Sequence, residues 1–196
     1  MARGTGARDE GIPIFRTAII ISGALALATP AVLGTPKCGT PCWRIETVGI
    51  YKNPDLMRRA FAAAPKRIAV GDSANALIGR LTFWQFPRES RLVRLNAADL
   101  GLRGTSEVTL VEVYERAAAA EYNFCQVETG PMLRLDYLDQ PVGEFLDVPV
   151  YHNKYDGTVS FFTVGYDGES YLLFGGDGTH DMPVPAHAMK FVFCLN

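Results

Sequence analysis

The chain has no run of lysine or arginine, although it carries 19 basic residues against 21 acidic ones. Tight binding to a phosphate backbone requires clustered cations, so the sequence predicts no nucleic-acid partner. Histidine is scarce, with three residues and no His-x-x-x-His pair among them. We therefore predict no metal site and no cofactor.

Familiar catalytic motifs are also missing. The chain has no Gly-x-Ser-x-Gly elbow, no phosphate-binding P-loop and no His-Glu-x-x-His sequence. Residues 175–179, Gly-Gly-Asp-Gly-Thr, resemble a glycine-rich phosphate loop, but Pro183 and Pro185 follow where such a loop requires a helix. These absences favour a binding protein over an enzyme.

The N-terminus has the pattern of an export signal. Three arginines precede an apolar run at residues 17–27, and the small residues Ala26 and Ala28 flank Leu27. A basic region, a short apolar stretch and a small-x-small site are typical of a secretory signal peptide. The alternative is an uncleaved membrane anchor, because the apolar stretch at residues 12–33 is nearly long enough to span a bilayer, although Pro13 and Pro30 interrupt it.

These features divide the chain into three parts. We predict a signal peptide or N-terminal anchor over residues 1–34, a Pro-, Gly- and Thr-rich linker over 35–42, and a single α+β domain over 43–196. The expected location is secreted or periplasmic, within the cell envelope. Contact with a membrane is expected only through an uncleaved N-terminal segment.

Cysteine usage agrees with export. All the cysteines follow the predicted leader, at Cys38, Cys42, Cys125 and Cys194. An even number in an oxidising compartment predicts two disulfides, whose pairing has three possible connectivities. A zinc site is the weaker interpretation, because Cys-x3-Cys is not a usual ligand spacing.

Two helices are predicted from apolar periodicity. Asn53 and Pro54 favour a helix start, and an apolar stripe that includes Met57 and Phe61 follows. A short helix is also expected from a cap at Asp72 or Ser73 to Gly79. The other amphipathic helix is expected to begin at Thr105 or Ser106, with Glu107 in its first turn. Its buried stripe is predicted to contain Leu110, Val113, Tyr114 and Ala117.

Strands are predicted at residues 43–51, 81–86 and 91–96, and the period changes to two from Phe124 onward. Later strands are expected at 133–137, 144–150, 158–164, 170–174 and 189–195. Asp-Gly pairs at 156, 167 and 177 predict tight hairpin turns. The predicted fold class is α+β, with one or two amphipathic helices packed on a mainly antiparallel, hairpin-rich C-terminal sheet.

Residues 125–144 carry a further pattern, C-x4-GP-x-LRL-x-Y-x-DQP-x-GE. The matching positions are Cys125, Gly130, Pro131, Leu133, Arg134, Leu135, Tyr137, Asp139, Gln140, Pro141, Gly143 and Glu144. The pattern resembles the signature of an uncharacterised family of small bacterial proteins, although Gln126 stands where that family often has proline. The resemblance implies a shared domain and no particular activity.

The sequence favours an exported binding module for an unknown extracellular or envelope ligand. Its predicted site is the loop surface around the signature and the Asp-Gly turns. The candidate ligand-binding residues are Arg134, Asp139, Gln140, Glu144, Asp156, Asp167 and Asp177. Arg134 is expected to pair with Asp136 or Glu144.

Two other functions stay open. Asp139 and Glu144 are separated by one turn, and paired carboxylates can hydrolyse a glycosidic polymer. The first alternative is therefore a hydrolase of an extracellular polymer that uses these two residues. The second is a structural component of the cell envelope, which an exposed long strand edge would favour.

Overall fold

A computed structural model describes residues 41–103, 106–152 and 158–195. Four helices and nine strands make up this part of the chain. The helices are α1 (Pro54–Ala62), α2 (Asp72–Arg80), α3 (Leu110–Ala119) and α4 (Thr129–Asp136). The strands are β1 (Arg44–Val48), β2 (Ile68–Val70), β3 (Arg88–Asn96), β4 (Glu107–Thr109), β5 (Phe145–His152), β6 (Thr158–Tyr166), β7 (Tyr171–Thr179), β8 (Pro183–Pro185) and β9 (Lys190–Cys194).

Seven strands form one mostly antiparallel sheet, in the order β1-β3-β9-β5-β6-β7-β2. Only two neighbouring pairs are parallel, β5 with β9 and β2 with β7. Strands β4 and β8 form a separate antiparallel ribbon. The predicted α+β class with a mainly antiparallel sheet is confirmed.

The sheet buries both faces, because its strands alternate apolar side chains between two cores. On β9, Val192 joins one core, while Phe191 and Phe193 join the other. Helices α1, α2 and α4 cover the first face. Helix α3 and the β4–β8 ribbon cover part of the second face.

Helices α1 and α3 follow from local sequence signals. Asn53 caps α1 by accepting a hydrogen bond from the Leu56 amide at 2.9 Å, with Pro54 in the first helical position as predicted. The predicted stripe of α3 is buried, but the helix begins later than expected. Thr109 and Glu112 form a capping box, so the predicted cap at Thr105 or Ser106 is wrong. Glu107 lies in β4, not in a first helical turn.

Residues 133–136 form the end of α4 and Tyr137 caps it, so the predicted strand there is wrong. The alternation of Leu133, Arg134 and Leu135 resembles a half-exposed strand. In the structure Leu133 and Arg134 are both fully buried, so the polar residue does not mark a solvent face. Only Asp136 is exposed in this stretch. The buried Arg134 between two leucines therefore produced the sequence pattern of a strand within a helix.

The glycine of the signature permits α4 to approach the sheet closely. A Cβ atom at Gly130 would lie 2.7 Å from the Cβ of Phe162 on β6, closer than two such atoms approach. Neither atom can rotate away, because each is fixed to its backbone. We expect Gly130→Ala to lower the free energy of unfolding by about 1–3 kcal/mol, measured by urea denaturation.

The control is Gly79→Ala in α2. Gly79 is exposed, and an added Cβ would meet only the flexible Arg58 guanidinium at 3.4 Å. Helix propensity then favours alanine by roughly 0.5–1 kcal/mol. Equal and unfavourable effects at both positions would contradict the close-packing explanation for Gly130.

The Asp-Gly pairs have different structures. Asp167 and Gly168 form the predicted hairpin turn, with Gly168 at a φ of +101°. Asp177 and Gly178 lie within β7, opposite Ser160 and Val159, so the predicted turn there is wrong. Gly175 of the same strand permits close packing against α2. A Cβ at Gly175 would lie 2.8 Å from the Ser73 carbonyl oxygen.

The segment between α2 and β3 also differs from the prediction. Residues 81–86 form a loop, while β3 is longer than expected and begins at Arg88. The predicted strands at 144–150, 158–164, 170–174 and 189–195 correspond to β5, β6, β7 and β9, although β7 continues to Thr179 and β8 was not predicted. The Asp-Gly pair at 156 lies outside the described residues. No helix in the described part of the chain is long and apolar enough to cross a membrane.

Candidate functional site

Arg134 lies in the core and ties α4 to the sheet. Its side chain is fully buried, and it donates hydrogen bonds to the Gln140 side-chain oxygen at 2.6 Å and the Gly165 carbonyl at 2.7 Å. It also donates to the Tyr137 carbonyl and lies over the Tyr171 ring, 4.7 Å from its centroid. Burial lowers the pKa of this guanidinium to about 10. The expected ion pair with Asp136 or Glu144 is wrong, because the partners are neutral.

Gln140 continues the same network. Its amide nitrogen donates to the carbonyl oxygens of Glu144 at 3.0 Å and Val164 at 3.1 Å. The loop after α4 is thereby fixed to β6. Arg134 and Gln140 are both buried, so neither is at the surface where the sequence placed a ligand.

Glu144 is the residue of the signature that makes two ion pairs. Its carboxylate accepts hydrogen bonds from Arg94 at 2.8 Å, Lys190 at 2.9 Å and the Tyr137 hydroxyl at 2.8 Å. Burial opposes its ionisation, but the Lys190 and Tyr137 hydrogen bonds and the Arg94 charge outweigh it. The pKa of Glu144 is therefore lowered. The group is ionised at neutral pH.

Asp139 lies on the exposed side of this cluster. Arg44 of β1 donates to it at 3.0 Å and places its guanidinium 4.6 Å from the Tyr137 ring centroid. The structure therefore brings Asp139 and Glu144 into one network of charged side chains around Tyr137. Each carboxylate in this network is paired with at least one cation.

The other candidate residues are divided between two places. Asp167 lies near Glu144, because the Gly143 amide donates to the Tyr166 carbonyl at 2.8 Å. Its carboxylate accepts from the Glu169 and Ser170 amides of its own turn. Asp177 lies elsewhere on β7, where the Ser160 hydroxyl donates to it at 2.5 Å. Asp156 lies outside the described residues.

The structure shows part of the predicted disulfide framework. Cys125 and Cys194 form a disulfide that joins the segment after α3 to the last strand of the sheet. Cys42 is also disulfide-bonded. Cys38 lies outside the described residues. A disulfide between buried cysteines is typical of an oxidising, extracellular-type environment.

A cleft of about 680 Å³ opens between α3 and the segment at residues 122–124, and the sequence did not predict it. Its aromatic walls are Tyr114, Tyr122, Phe124 and Phe193. Tyr114 and Phe124 meet edge to face with ring centroids 4.9 Å apart. This volume lies within the range of small-molecule sites, roughly 300–1,000 Å³.

Polar groups are few in this cleft. Besides the hydroxyls of Tyr114 and Tyr122, its polar side chains are Glu115, Asn123 and His180. Burial, with a smaller contribution from the Asp147 charge, raises the pKa of Tyr114, so its hydroxyl stays protonated. Asp147 itself is buried and accepts from the Thr163 hydroxyl at 2.5 Å, and burial raises its pKa to about 6. The cleft is thus an apolar site with a small polar component.

Two smaller cavities adjoin α2. Their volumes are about 370 and 210 Å³, and both are lined by Leu77 and Arg80. Ser160 lines one and Asp177 the other, so this is where the structure places the Asp177 candidate. The Ser160 hydroxyl and the Asp177 carboxylate are already bonded to each other.

Comparison with known protein families, characterised proteins and solved structures finds no match for this chain. The resemblance of residues 125–144 to an uncharacterised family therefore stays a prediction. Within the described residues, no group of three or more His, Cys, Asp and Glu side chains is arranged to hold a metal ion.

Sequence reasoning missed the cleft because its walls come from three separate parts of the chain. Tyr114 belongs to the α3 stripe, Phe124 precedes the disulfide and Phe193 is on β9. Of these aromatics only Tyr114 was predicted to be buried, as part of the α3 stripe. One signal was available in the sequence. The apolar residues Tyr122, Phe124 and Cys125 lie close together directly after a strongly predicted helix.

Proposed function

We propose that the protein is an exported binding module that takes a small apolar or aromatic ligand in the cleft beside α3. The aromatic lining of this cleft is the observation that carries the proposal. Rings such as Tyr122 and Phe124 supply large apolar contact area at low entropic cost. Glu115, Asn123 and His180 would orient the ligand.

The charged network around Glu144 supports a binding protein over the hydrolase. A glycosidase needs one carboxylic acid that holds its proton near neutral pH. The lowered pKa of Glu144 opposes that role, and Asp139 is exposed and paired with Arg44. The network would instead stabilise the end of the sheet that carries the signature.

A matched pair of variants tests the binding proposal. Ala118 is exposed and lines the cleft, whereas Ala119 is the next exposed position of α3 and does not line it. We expect Ala118→Trp to fill the cleft and to weaken binding of the apolar fluorophore N-phenyl-1-naphthylamine about tenfold or more. Ala119→Trp should leave the titration unchanged.

The wild-type protein must bind the fluorophore saturably for the proposal to stand. Equal binding by both variants would locate the fluorophore elsewhere and would contradict it. Circular dichroism of the two variants controls for folding, since both add the same side chain to the same helix.

Export is the second part of the proposal. The N-terminal pattern and the Cys125–Cys194 disulfide support a secreted or periplasmic location. Intact mass of the chain expressed with its own leader, before and after reduction and alkylation, tests this. We expect four thiols that appear only on reduction. Four free thiols in the native protein would contradict export.

A further inference from the structure

Two adjacent loops expose apolar side chains that no core covers. Ile50 follows β1, and Trp84 and Phe86 precede β3. Their exposed fractions are 45, 41 and 78%. Large apolar side chains at such exposure are informative when they are grouped. We call these three residues the apolar loop patch.

Buried and charged groups hold the two loops together. The Glu128 carboxylate is fully buried and accepts hydrogen bonds from the Gly49 amide at 2.7 Å and from the Trp84 amide. The Lys52 ammonium donates to the carbonyl oxygens of Gly49 and Gln85. Burying a carboxylate is costly unless hydrogen bonds compensate for the lost water. The two amides that compensate Glu128 come one from each loop, so the buried carboxylate fixes the loops side by side. The exposure of the patch is therefore built into the fold.

Two cations lie beside the patch. Lys52 lies between the loops, and the Arg88 guanidinium lies 4.9 Å from the Trp84 ring centroid. The acidic Asp55 is paired with Arg58 at 3.1 Å. Glu89 follows Arg88 on β3 and therefore points to the opposite face of the sheet. A surface that matches this patch would have negative charge on its outside and an apolar layer beneath.

We propose that the apolar loop patch docks the domain on the surface of an anionic lipid bilayer. Phe86, the most exposed of the three at 78%, leaves most of its ring in solvent, so the patch is open to contact with a surface. Protein-binding hot spots typically lie in well-packed pockets of a broad interface. Exposed aromatic and aliphatic side chains above Lys and Arg are typical of membrane-interface contacts. This contact adds to the one expected of an uncleaved N-terminal segment.

Tryptophan fluorescence of the full chain tests the proposal at the residue concerned. The chain has two tryptophans, and the other, Trp43, is partly buried beneath Arg94. The vesicles contain equal parts of phosphatidylcholine and phosphatidylglycerol, with bromine on the acyl chains to quench any indole that reaches them. We expect quenching of the wild-type protein and none of Trp84→Phe, which retains only Trp43.

Further variants separate the patch from the N-terminal segment. Phe86→Ser should weaken the quenching titration about tenfold, while Phe174→Ser, at another exposed phenylalanine, should leave it unchanged. Omission of phosphatidylglycerol should also weaken it, because the cations then lose their partners. If the vesicles bind the chain but do not quench Trp84, the proposal is wrong. A protein partner would then be the explanation for the patch.

Discussion

Replacement of Cys125 and Cys194 by alanine is expected to lower the free energy of unfolding by about 4 kcal/mol. The disulfide closes a loop with a sequence separation of 69 residues. In the chain-entropy model, a link across a loop of that size removes roughly 4 kcal/mol of conformational entropy from the unfolded state. Urea denaturation of the double variant and of the wild type, both without reductant, measures the difference.

Native contacts near the disulfide do not depend on it. The amides and carbonyls of Asn123 and Cys194 exchange two hydrogen bonds, at 2.9 and 2.8 Å. We therefore expect the variant to retain the fold and to lose stability through its unfolded state. A loss below about 1 kcal/mol would mean that residual structure already restricts the unfolded chain.

The same variant links stability to the proposed function. The disulfide follows Phe124 directly and holds this wall of the cleft against β9. Without the link, the segment at 122–124 is held by the two backbone hydrogen bonds and by the contacts of its aromatic rings. Fluorophore binding should weaken in the variant under conditions where circular dichroism still reports a folded protein.

Elements with local signals were predictable from the sequence. The Asn53 cap, the buried stripe of α3 and the Asp167–Gly168 turn each depend on residues within one or two turns of the chain. The failure at α4 has an equally local cause. Sequence patterns assume that a charged residue marks the solvent face, and Arg134 instead donates hydrogen bonds to carbonyl and amide oxygens inside the core.

The candidate sites depend on contacts that periodicity does not contain. Glu144 was identified as a candidate, but its partners Arg94 and Lys190 come from strands 50 and 46 residues away. Strand order and register bring them together, and neither can be read from one sequence. The Trp84 and Phe86 loop was predicted as a strand, so its exposure could not be anticipated.

A buried glutamate at the edge of the sheet should make the protein less stable as the pH rises. Glu46 of β1 is 2% exposed, and its pKa is raised to about 8. Burial is the main cause, and the negative charge and side-chain hydrogen bond of Asp136 add to it, while Arg44 acts in the opposite direction. In the unfolded chain the group titrates near its ordinary value of about 4.3.

The loss of stability with rising pH follows from the binding of a proton to Glu46. Between about pH 4.5 and pH 8 the folded protein holds a proton on Glu46 that the unfolded chain has released, so stability falls as the pH rises through this window. The contribution is complete below the unfolded pKa and lost above the folded one. Asp147, with a pKa raised to about 6, acts in the same direction at lower pH. Glu46 should therefore dominate between pH 6 and pH 8.

Glu46→Gln isolates this contribution, because glutamine resembles the protonated acid and cannot ionise. We expect the variant to match the wild type near pH 4.5 and to exceed its free energy of unfolding by up to about 5 kcal/mol above pH 8. Urea denaturation of both proteins across this range gives the difference at each pH. Glu89→Gln, an exposed residue on the neighbouring strand, controls for the loss of one negative charge. A difference between Glu46→Gln and the wild type that does not change with pH would show that Glu46 is ionised in the fold, with Arg44 as its effective partner.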